Sequence, residues 1–323
     1  MSKEDIPLAS HELIEVRLVS IRYAARDTNL YEFRCPDGAQ LPDYEAGAHI
    51  DINLSEKLVR QYSLIGNGNE PSSYIVGVKL DPASRGGSTF IHDGLKVGQL
   101  LKISPPRNNF PLNLNANHTV FIAGGIGITP IFCMLQSLQK LGKSWELHYS
   151  TRSRIDAPFL EELKKMGSVS FHFDQESPGK FLDLNSIVTS APCDSHFYCC
   201  GPLPMLAAYE SATVSLPPDR VHVEYFTSKH GRSTEGGYSV EITSSGKIFE
   251  IPRGKTILSI LRDEGFVVPS SCEQGVCGAC ETRLISGEAD HRDAILTQSE
   301  RDANESIMIC CSGSKSERLV LDL

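Results

Sequence analysis

The 323-residue chain lacks any run of about 18 apolar residues, the length from which a bilayer-spanning helix is read. Its opening, Met1-Ser2-Lys3-Glu4-Asp5-Ile6-Pro7, carries charge where a secretory signal has an apolar core. The expectation is a cytoplasmic protein without membrane association. A basic excess is missing too: 31 Lys and Arg stand against 40 Asp and Glu, a formal net charge of -9. That balance argues against nucleic acid, whose phosphates call for a positive surface, and suits a partner with a basic docking face. Internal repeats and low-complexity tracts are absent, and none of the ten histidines falls in an H-E-x-x-H pattern, so they read as surface or packing residues. No constellation of His and carboxylate for general acid–base chemistry stands out.

Cysteine is what the chain does have. Ten of them in a reducing compartment are a poor disulfide framework, so clustered ones read as metal ligands or reactive thiols. Hydrophobic content of 40% and charged content of 22% are ordinary for a folded protein. The length suits about two or three domains.

Three textures follow along the chain. Up to about Leu114, short alternating runs (Leu13 to Val19, Ile50 to Leu54, Tyr74 to Val78) are broken by Gly, Pro and Asp, which predicts a small antiparallel β-barrel or sandwich. From Thr119 the pattern becomes strand, glycine turn, helix. Thr119 to Ala123 is an apolar run, Gly124 to Pro130 punctuates it, and Ile131, Met134, Leu135 and Leu138 then fall at helical spacing. Trp145, Leu147 and Tyr149 alternate with polar neighbours before Phe159, Leu160 and Leu163 resume a helix, so an α/β domain with a parallel sheet is expected. Between Thr227 and Gly237 there is no apolar residue to anchor to a core, which reads as a linker. Beyond it, Tyr238 to Ile242 and Ile248 to Ile251 read as a hairpin, and Thr256 caps a helix that Gly265 ends. The expected division is 1–114 barrel, 115–227 α/β domain, 228–237 linker and 238–323 cysteine-bearing domain.

The most specific signal is Cys272-Glu273-Gln274-Gly275-Val276-Cys277-Gly278-Ala279-Cys280, the C-x4-C-x2-C spacing of plant-type [2Fe-2S] sites, with a distant fourth cysteine at Cys310. Gly275 and Gly278 permit unusual backbone angles, and small residues let amide N–H groups point at the sulfurs. A four-cysteine zinc site is the alternative, although zinc sites generally draw on two short pairs and here three ligands share one loop. Cys310 and Cys311 compete for the fourth position; on a strand they would face opposite ways, and spacing does not choose between them.

Weaker signals lie upstream. Arg60-Gln61-Tyr62-Ser63 offers an arginine to a phosphate, a tyrosine to a ring and a hydroxyl to a ring edge, against the plain alternative of a strand with a surface arginine. Arg85-Gly86-Gly87-Ser88-Thr89 offers backbone N–H groups to a phosphate at a helix start, or is a simple turn. Gly124-Gly125-Ile126-Gly127-Ile128-Thr129-Pro130, between strand and helix, has the context of a pyrophosphate turn without the G-x-G-x-x-G spacing. Cys199-Cys200-Gly201-Pro202 ends another strand of that sheet, where the Cys200 thiol can border a nicotinamide ring. Cys199, Cys193, Cys133 and Cys35 read as small buried residues.

In this order the parts resemble the phthalate dioxygenase reductase family, together with vanillate demethylase reductases. The resemblance covers nearly the whole length and rests on Arg60-x-Tyr62-Ser63, Gly86-Gly87-Ser88, Gly124 to Pro130, Cys200-Gly201-Pro202, Glu224-x-Phe226, the cysteine loop, and Asp290-His291-Arg292-Asp293 with Leu296. It implies an FMN barrel, an NAD domain and a β-grasp ferredoxin domain, in that order. By matching position, Arg60, Tyr62 and Ser63 would contact FMN, and Gly87 and Ser88 would hold its phosphate. The turn with Gly125, Gly127 and Thr129 would take the NADH pyrophosphate, with Cys200 and Gly201 beside the nicotinamide and Phe226 near the isoalloxazine. The family's ending favours Cys310 as fourth ligand with Cys272, Cys277 and Cys280. Asp174, where related reductases select the adenosine ribose, would bond free hydroxyls and repel a 2′-phosphate, although Arg152 and Arg154 lie close in sequence.

The implied function is transfer of electrons from NADH through FMN and a [2Fe-2S] cluster to a separate Rieske-type oxygenase. Hydride transfer moves two electrons and the cluster takes one, so a flavin with a one-electron state must stand between them. From Tyr238 onward, nine Lys and Arg face fourteen Asp and Glu, which suits steering towards a basic partner. Two alternatives stay open: a reductase for a cytochrome P450, and a non-catalytic iron-sulfur or zinc protein.

Overall fold

The computed structural model describes residues 13–55, 58–66, 72–84 and 86–323; the charged opening and Arg85 lie outside the described residues. The chain forms two compact units, Met1–Glu224 and Tyr225–Leu323. None of the helices among the described residues is long and apolar enough to cross a membrane.

The first unit begins with β1 (Ile14–Ala25), β2 (Thr28–Arg34), β3 (His49–Ser55), β4 (Leu58–Ser63), β5 (Tyr74–Lys79), α1 (Gly87–Gly94) and β6 (Leu100–Ile103). The strands form an antiparallel sheet in the order β4-β3-β6-β1-β2-β5. A bridge between Leu64 and Val76 joins its two edges, so the sheet is a barrel and not a sandwich. Period-two alternation turns Val16 with Leu18, and Ile50 with Ile52, inward, where with Phe33 and Val76 they are wholly buried.

The same unit continues through β7 (His118–Gly124), α2 (Ile128–Lys140), β8 (Ser144–Thr151), α3 (Leu160–Lys165), β9 (Val169–Phe173), α4 (Leu184–Ser190), β10 (His196–Cys200), α5 (Leu203–Thr213) and β11 (Val221–Glu224). Its sheet is parallel, ordered β11-β10-β7-β8-β9. Central β7 is buried on both faces along nearly its whole length, which explains its unbroken apolar run. From β7 the chain winds one way to β8 and later returns on the other side as β10. The gap between the carboxyl ends of β7 and β10 is thus a topological switch point, where open α/β sheets bind ligands.

The second unit holds β12 (Tyr238–Ile242), β13 (Ile248–Ile251), α6 (Ile257–Asp263), β14 (Glu281–Ser286), β15 (Ala289–Asp290), α7 (Gln298–Ala303), β16 (Ser306–Met308), β17 (Gly313–Ser314) and β18 (Arg318–Leu321). A mixed sheet ordered β13-β12-β18-β14-β16 packs on α6 in a β-grasp, with Val240, Ile257, Leu261, Ile307, Leu319 and Leu321 fully buried between them. Thr256 and Ser259 cap α6 reciprocally, and Gly265 follows it at a φ of 84°.

Side chains suggest that residues 228–237 float free, but backbone groups anchor their second half. Ser233 is buried; its N–H donates to the Cys311 carbonyl at 2.7 Å, and the N–H of Gly254 donates to the Thr234 carbonyl at 2.8 Å. Arg232 approaches Glu273 at 3.7 Å, and the Gly237 N–H bonds the Ile251 carbonyl at 2.9 Å. A segment without apolar residues can still be pinned, because every peptide carries a donor and an acceptor.

The lone cysteines depart in part from expectation. Cys133 and Cys199 are buried, whereas Cys35 is half-buried and Cys193 is exposed. Cys193 lies in the polar turn before β10, outside the apolar run that buries Cys199.

Candidate functional site

On the barrel, β4 pairs with β3 so that Arg60 faces Ile52 and Tyr62 faces Ile50. The period of two places Arg60 and Tyr62 on one side of the strand, while Ser63 is buried. The Arg60 stem lies across the start of α1: a Cβ on Gly87 would come within 2.6 Å of its Cγ and 2.7 Å of its Nε, so a side chain there would displace the arginine. Gly86 holds the N-cap position at a φ of 90° and supplies no side-chain cap. The first N–H groups of α1 therefore meet beside a guanidinium, which suits a phosphate dianion. Ser88 accepts a hydrogen bond on Oγ from the Asp81 N–H at 3.1 Å. Burial pushes the Tyr62 phenol above its ordinary range, keeping it neutral and able to donate.

At the switch point, β7 ends in Gly124 and passes through a 3-10 turn, Gly125–Gly127, into α2. The facing loop is Cys200-Gly201-Pro202 after β10. The two meet backbone to backbone: a Cβ on Gly127 would lie 2.2 Å from the Cys200 carbonyl oxygen, and one on Gly124 would lie 2.5 Å from Pro202 Cδ. Gly125 sits at a φ of 54°, and its carbonyl accepts from the Tyr149 hydroxyl at 3.0 Å. Thr129 donates its hydroxyl to the Ile126 carbonyl at 2.9 Å, pinning the turn, while its methyl rests near Gly77 of the barrel.

The parallel register sets Cys200 opposite Glu224 on β11, with Sγ 3.9 Å from Oε2. Cys200 is fully buried, and burial followed by the Glu224 charge pushes its thiol far up. Burial raises the Glu224 carboxyl to about 8, against a smaller lowering from the contact with Cys200. Glu224 thus keeps its proton through neutral pH. In the sequence it is only the first letter of Glu224-x-Phe226; the cross-strand register reveals its partner. Phe226 is the second residue of the second unit and is 37% exposed, and Asp174 directly follows β9, its side chain half-exposed and 3.8 Å from His172 Nε2.

In the second unit the cysteine loop folds over left-handed positions at Glu273 (53°), Gly275 (70°) and Gly278 (74°). Cys272, Cys277, Cys280 and Cys310 are buried. Their thiols touch in a chain: Cys272 meets Cys277 and Cys310, and Cys280 meets Cys310. Amide N–H groups of Gln274 and Val276 point at Cys272 Sγ from 3.2 and 3.4 Å. Contact between thiols and then burial push Cys277 and Cys280 upward, so ionising this set requires cationic charge among them. Four thiolates shared by two irons fit the string of contacts better than one zinc tetrahedron.

Cys310 and Cys311 lie on a turn after β16, not on a strand, so alternation does not separate them. Their contacts do. Cys310 joins the other thiols, whereas Cys311 Sγ lies 3.7 Å from the Met308 carbonyl and 3.8 Å from Ser312 Oγ. A Cβ on Gly275 would approach Cys311 Sγ to 2.4 Å, so Cys311 packs under the loop as a spacer.

Comparison with known proteins follows the same division. The 2Fe-2S iron-sulfur cluster binding domain matches residues 240–314, and the oxidoreductase FAD-binding domain matches residues 15–111. Phenoxybenzoate dioxygenase subunit beta of Ectopseudomonas oleovorans is 48% identical over 96% of this chain and 97% of its own. The structure of phthalate dioxygenase reductase, described as modular for electron transfer from pyridine nucleotides to [2Fe-2S], matches with a TM-score of 0.74 and 38% identity, over 96% of this chain and 98% of that one. The chain belongs to the phthalate dioxygenase reductase family. An intact type IV self-sufficient cytochrome P450 monooxygenase matches with a TM-score of 0.87 and 36% identity, covering 99% of this chain and 43% of the longer one. The family's three-part build, a flavin barrel, a parallel-sheet nucleotide domain and a ferredoxin domain, is the build of this chain.

Proposed function

We propose that this chain is the reductase component of an oxygenase system, oxidising NADH and delivering single electrons to a separate Rieske-type oxygenase. The end-to-end likeness to phthalate dioxygenase reductase supports this most. When bound, FMN supplies a two-electron acceptor that releases electrons singly, and a [2Fe-2S] cluster supplies a one-electron carrier. Arg60 and the backbone of Gly87 and Ser88 hold the FMN phosphate, with Tyr62 and Ser63 serving its ring. Gly125, Gly127 and Gly201 let the backbone approach the dinucleotide, and Thr129 steadies that turn. Cys200 floors the nicotinamide crevice, and Asp174 meets the adenosine ribose. Cys272, Cys277, Cys280 and Cys310 hold the cluster. The division into 1–114, 115–227, 228–237 and 238–323 is retained, and a cytoplasmic setting agrees with ten cysteines free of disulfides.

Anaerobic addition of NADH to the purified protein tests this reading. The flavin absorbance bleaches and a reduced-cluster signal grows in electron paramagnetic resonance; a colourless protein, or a flavin unmoved by NADH, overturns it. A cytochrome P450 acceptor is the second reading, favoured by the match to the self-sufficient monooxygenase. Reconstitution with each type of oxygenase separates the two.

A pH dependence follows from Glu224. Loss of hydride leaves positive charge on the nicotinamide, which an ionised carboxylate stabilises and a protonated one does not. The Glu224 carboxyl is raised to about 8, so the negative form appears only as pH rises through that value. Flavin reduction by NADH in stopped flow accelerates through about pH 8, and Glu224→Gln flattens this step; an unchanged profile in the variant removes Glu224 from the reaction.

A further inference from the structure

An arginine at the carboxyl edge of the nucleotide sheet is already engaged. Arg154, in the loop after β8, donates from Nε and a terminal nitrogen to the two carboxylate oxygens of Glu176, at 2.6 and 2.8 Å. Its guanidinium carbon lies 4.5 Å from the centre of the Phe173 ring, which closes its flat face. Backbone bonds hold the two loops together: the Asp174 N–H donates to the Thr151 carbonyl at 3.1 Å, and the Gln175 N–H to the Arg152 carbonyl at 3.0 Å. The arginine is therefore fixed where strands β8 and β9 end, on the side where an α/β sheet receives its nucleotide.

A guanidinium fork pairs with phosphate in the same bidentate manner as with carboxylate. Sequence alone leaves Arg152 and Arg154 as an argument for a phosphorylated ribose. The geometry reverses that argument for Arg154, because its fork is filled from within the chain. We infer that Glu176 determines the dinucleotide preference by occupying Arg154, so that a 2′-phosphate meets the carboxylates of Asp174 and Glu176 in place of an open arginine fork. Glu176 acts here as a specificity-determining residue, through Arg154 and not through contact with the reacting atoms. The inference rests on the proposed reading of this sheet as the NADH domain. It also assigns the ligand class that the surface would accept once Glu176 is removed: adenosine nucleotides bearing a 2′-phosphate.

The test compares the intact wild-type protein, Glu176→Ala, and the double variant Arg154→Ala/Glu176→Ala. Both side chains are about half-exposed, 56% for Arg154 and 48% for Glu176, so the substitutions disturb little packing. Calorimetric titration with 2′-AMP and with 5′-AMP reads binding without turnover. Glu176→Ala tightens 2′-AMP about tenfold, as expected for one recovered charge-assisted contact, and leaves 5′-AMP near its wild-type affinity. The ratio of kcat/KM for NADPH to that for NADH rises by a similar factor. The double variant loses both gains. Unchanged 2′-AMP affinity in Glu176→Ala, or a gain that survives loss of Arg154, overturns the inference. Failure of NADH to bleach the wild-type flavin would instead strike the underlying functional reading, whatever the nucleotide titrations show.

Discussion

Cys310→Ser loses the iron-sulfur chromophore, and Cys311→Ser keeps it. The two positions are neighbours, both are buried, and their side chains have the same chemistry, yet only Cys310 touches the thiols of Cys272 and Cys280. A serine oxygen is a poor ligand for iron that is otherwise held by soft thiolates. Because even outer-shell changes typically cost about 10- to 100-fold in metal affinity, removal of a direct ligand costs more than that. Iron analysis and the visible spectrum of the two variants give the result directly. NADH oxidation by ferricyanide, a small oxidant that accepts electrons at the flavin, persists in Cys310→Ser while reduction of the protein acceptor stops. Cys311→Ser retains both, since its sulfur meets only the Met308 carbonyl and Ser312. The reverse pattern would make Cys311 the ligand and require the turn after β16 to rotate.

Gly127→Ala is the second large effect. The added methyl would stand 2.2 Å from the Cys200 carbonyl oxygen, 2.5 Å from its carbon and 2.9 Å from the Gly201 nitrogen. All three are backbone atoms at the end of a central strand, so no side chain can swing aside to relieve the overlap. Either the glycine turn or the Cys200 loop must move, and overpacking of this kind costs about 1–3 kcal/mol. The functional loss is larger than the stability loss, because a displacement of about 1 Å at a reacting centre costs on the order of 100-fold in rate. Stopped-flow reduction by NADH falls by about that factor, while flavin content and the cluster spectrum stay at wild-type levels. Normal hydride transfer in Gly127→Ala would move the nicotinamide site away from the switch point.

Those two residues also mark how far sequence reasoning reaches. The cysteine loop was legible because three cysteines lie within nine consecutive residues, Cys272 to Cys280, and the spacing carries the chemistry. The glycine turn was legible because it sits between an apolar run and a helical period. Glu224 was not, since its significance arises only when β11 pairs with β10 and sets it opposite Cys200. Spacing and strand alternation left Cys310 and Cys311 undecided, because the two lie on a turn; the preference for Cys310 came from the family resemblance. Arg154 and Glu176, about twenty residues apart, belong to loops that only the parallel pairing of β8 with β9 brings together. Residues 228–237 illustrate a further gap, because hydrophobic pattern registers side-chain anchors and is blind to peptide groups. What stayed hidden is mostly pairing between distant segments, which periodicity along one segment does not encode.

The pinning of Ser233 to the Cys311 carbonyl also makes the polar stretch before β12 a backbone extension of the turn that carries Cys310 and Cys311. A disturbance of that turn reaches Ser233 through a peptide group, whatever side chain stands at either position, because the donor and acceptor belong to the main chain.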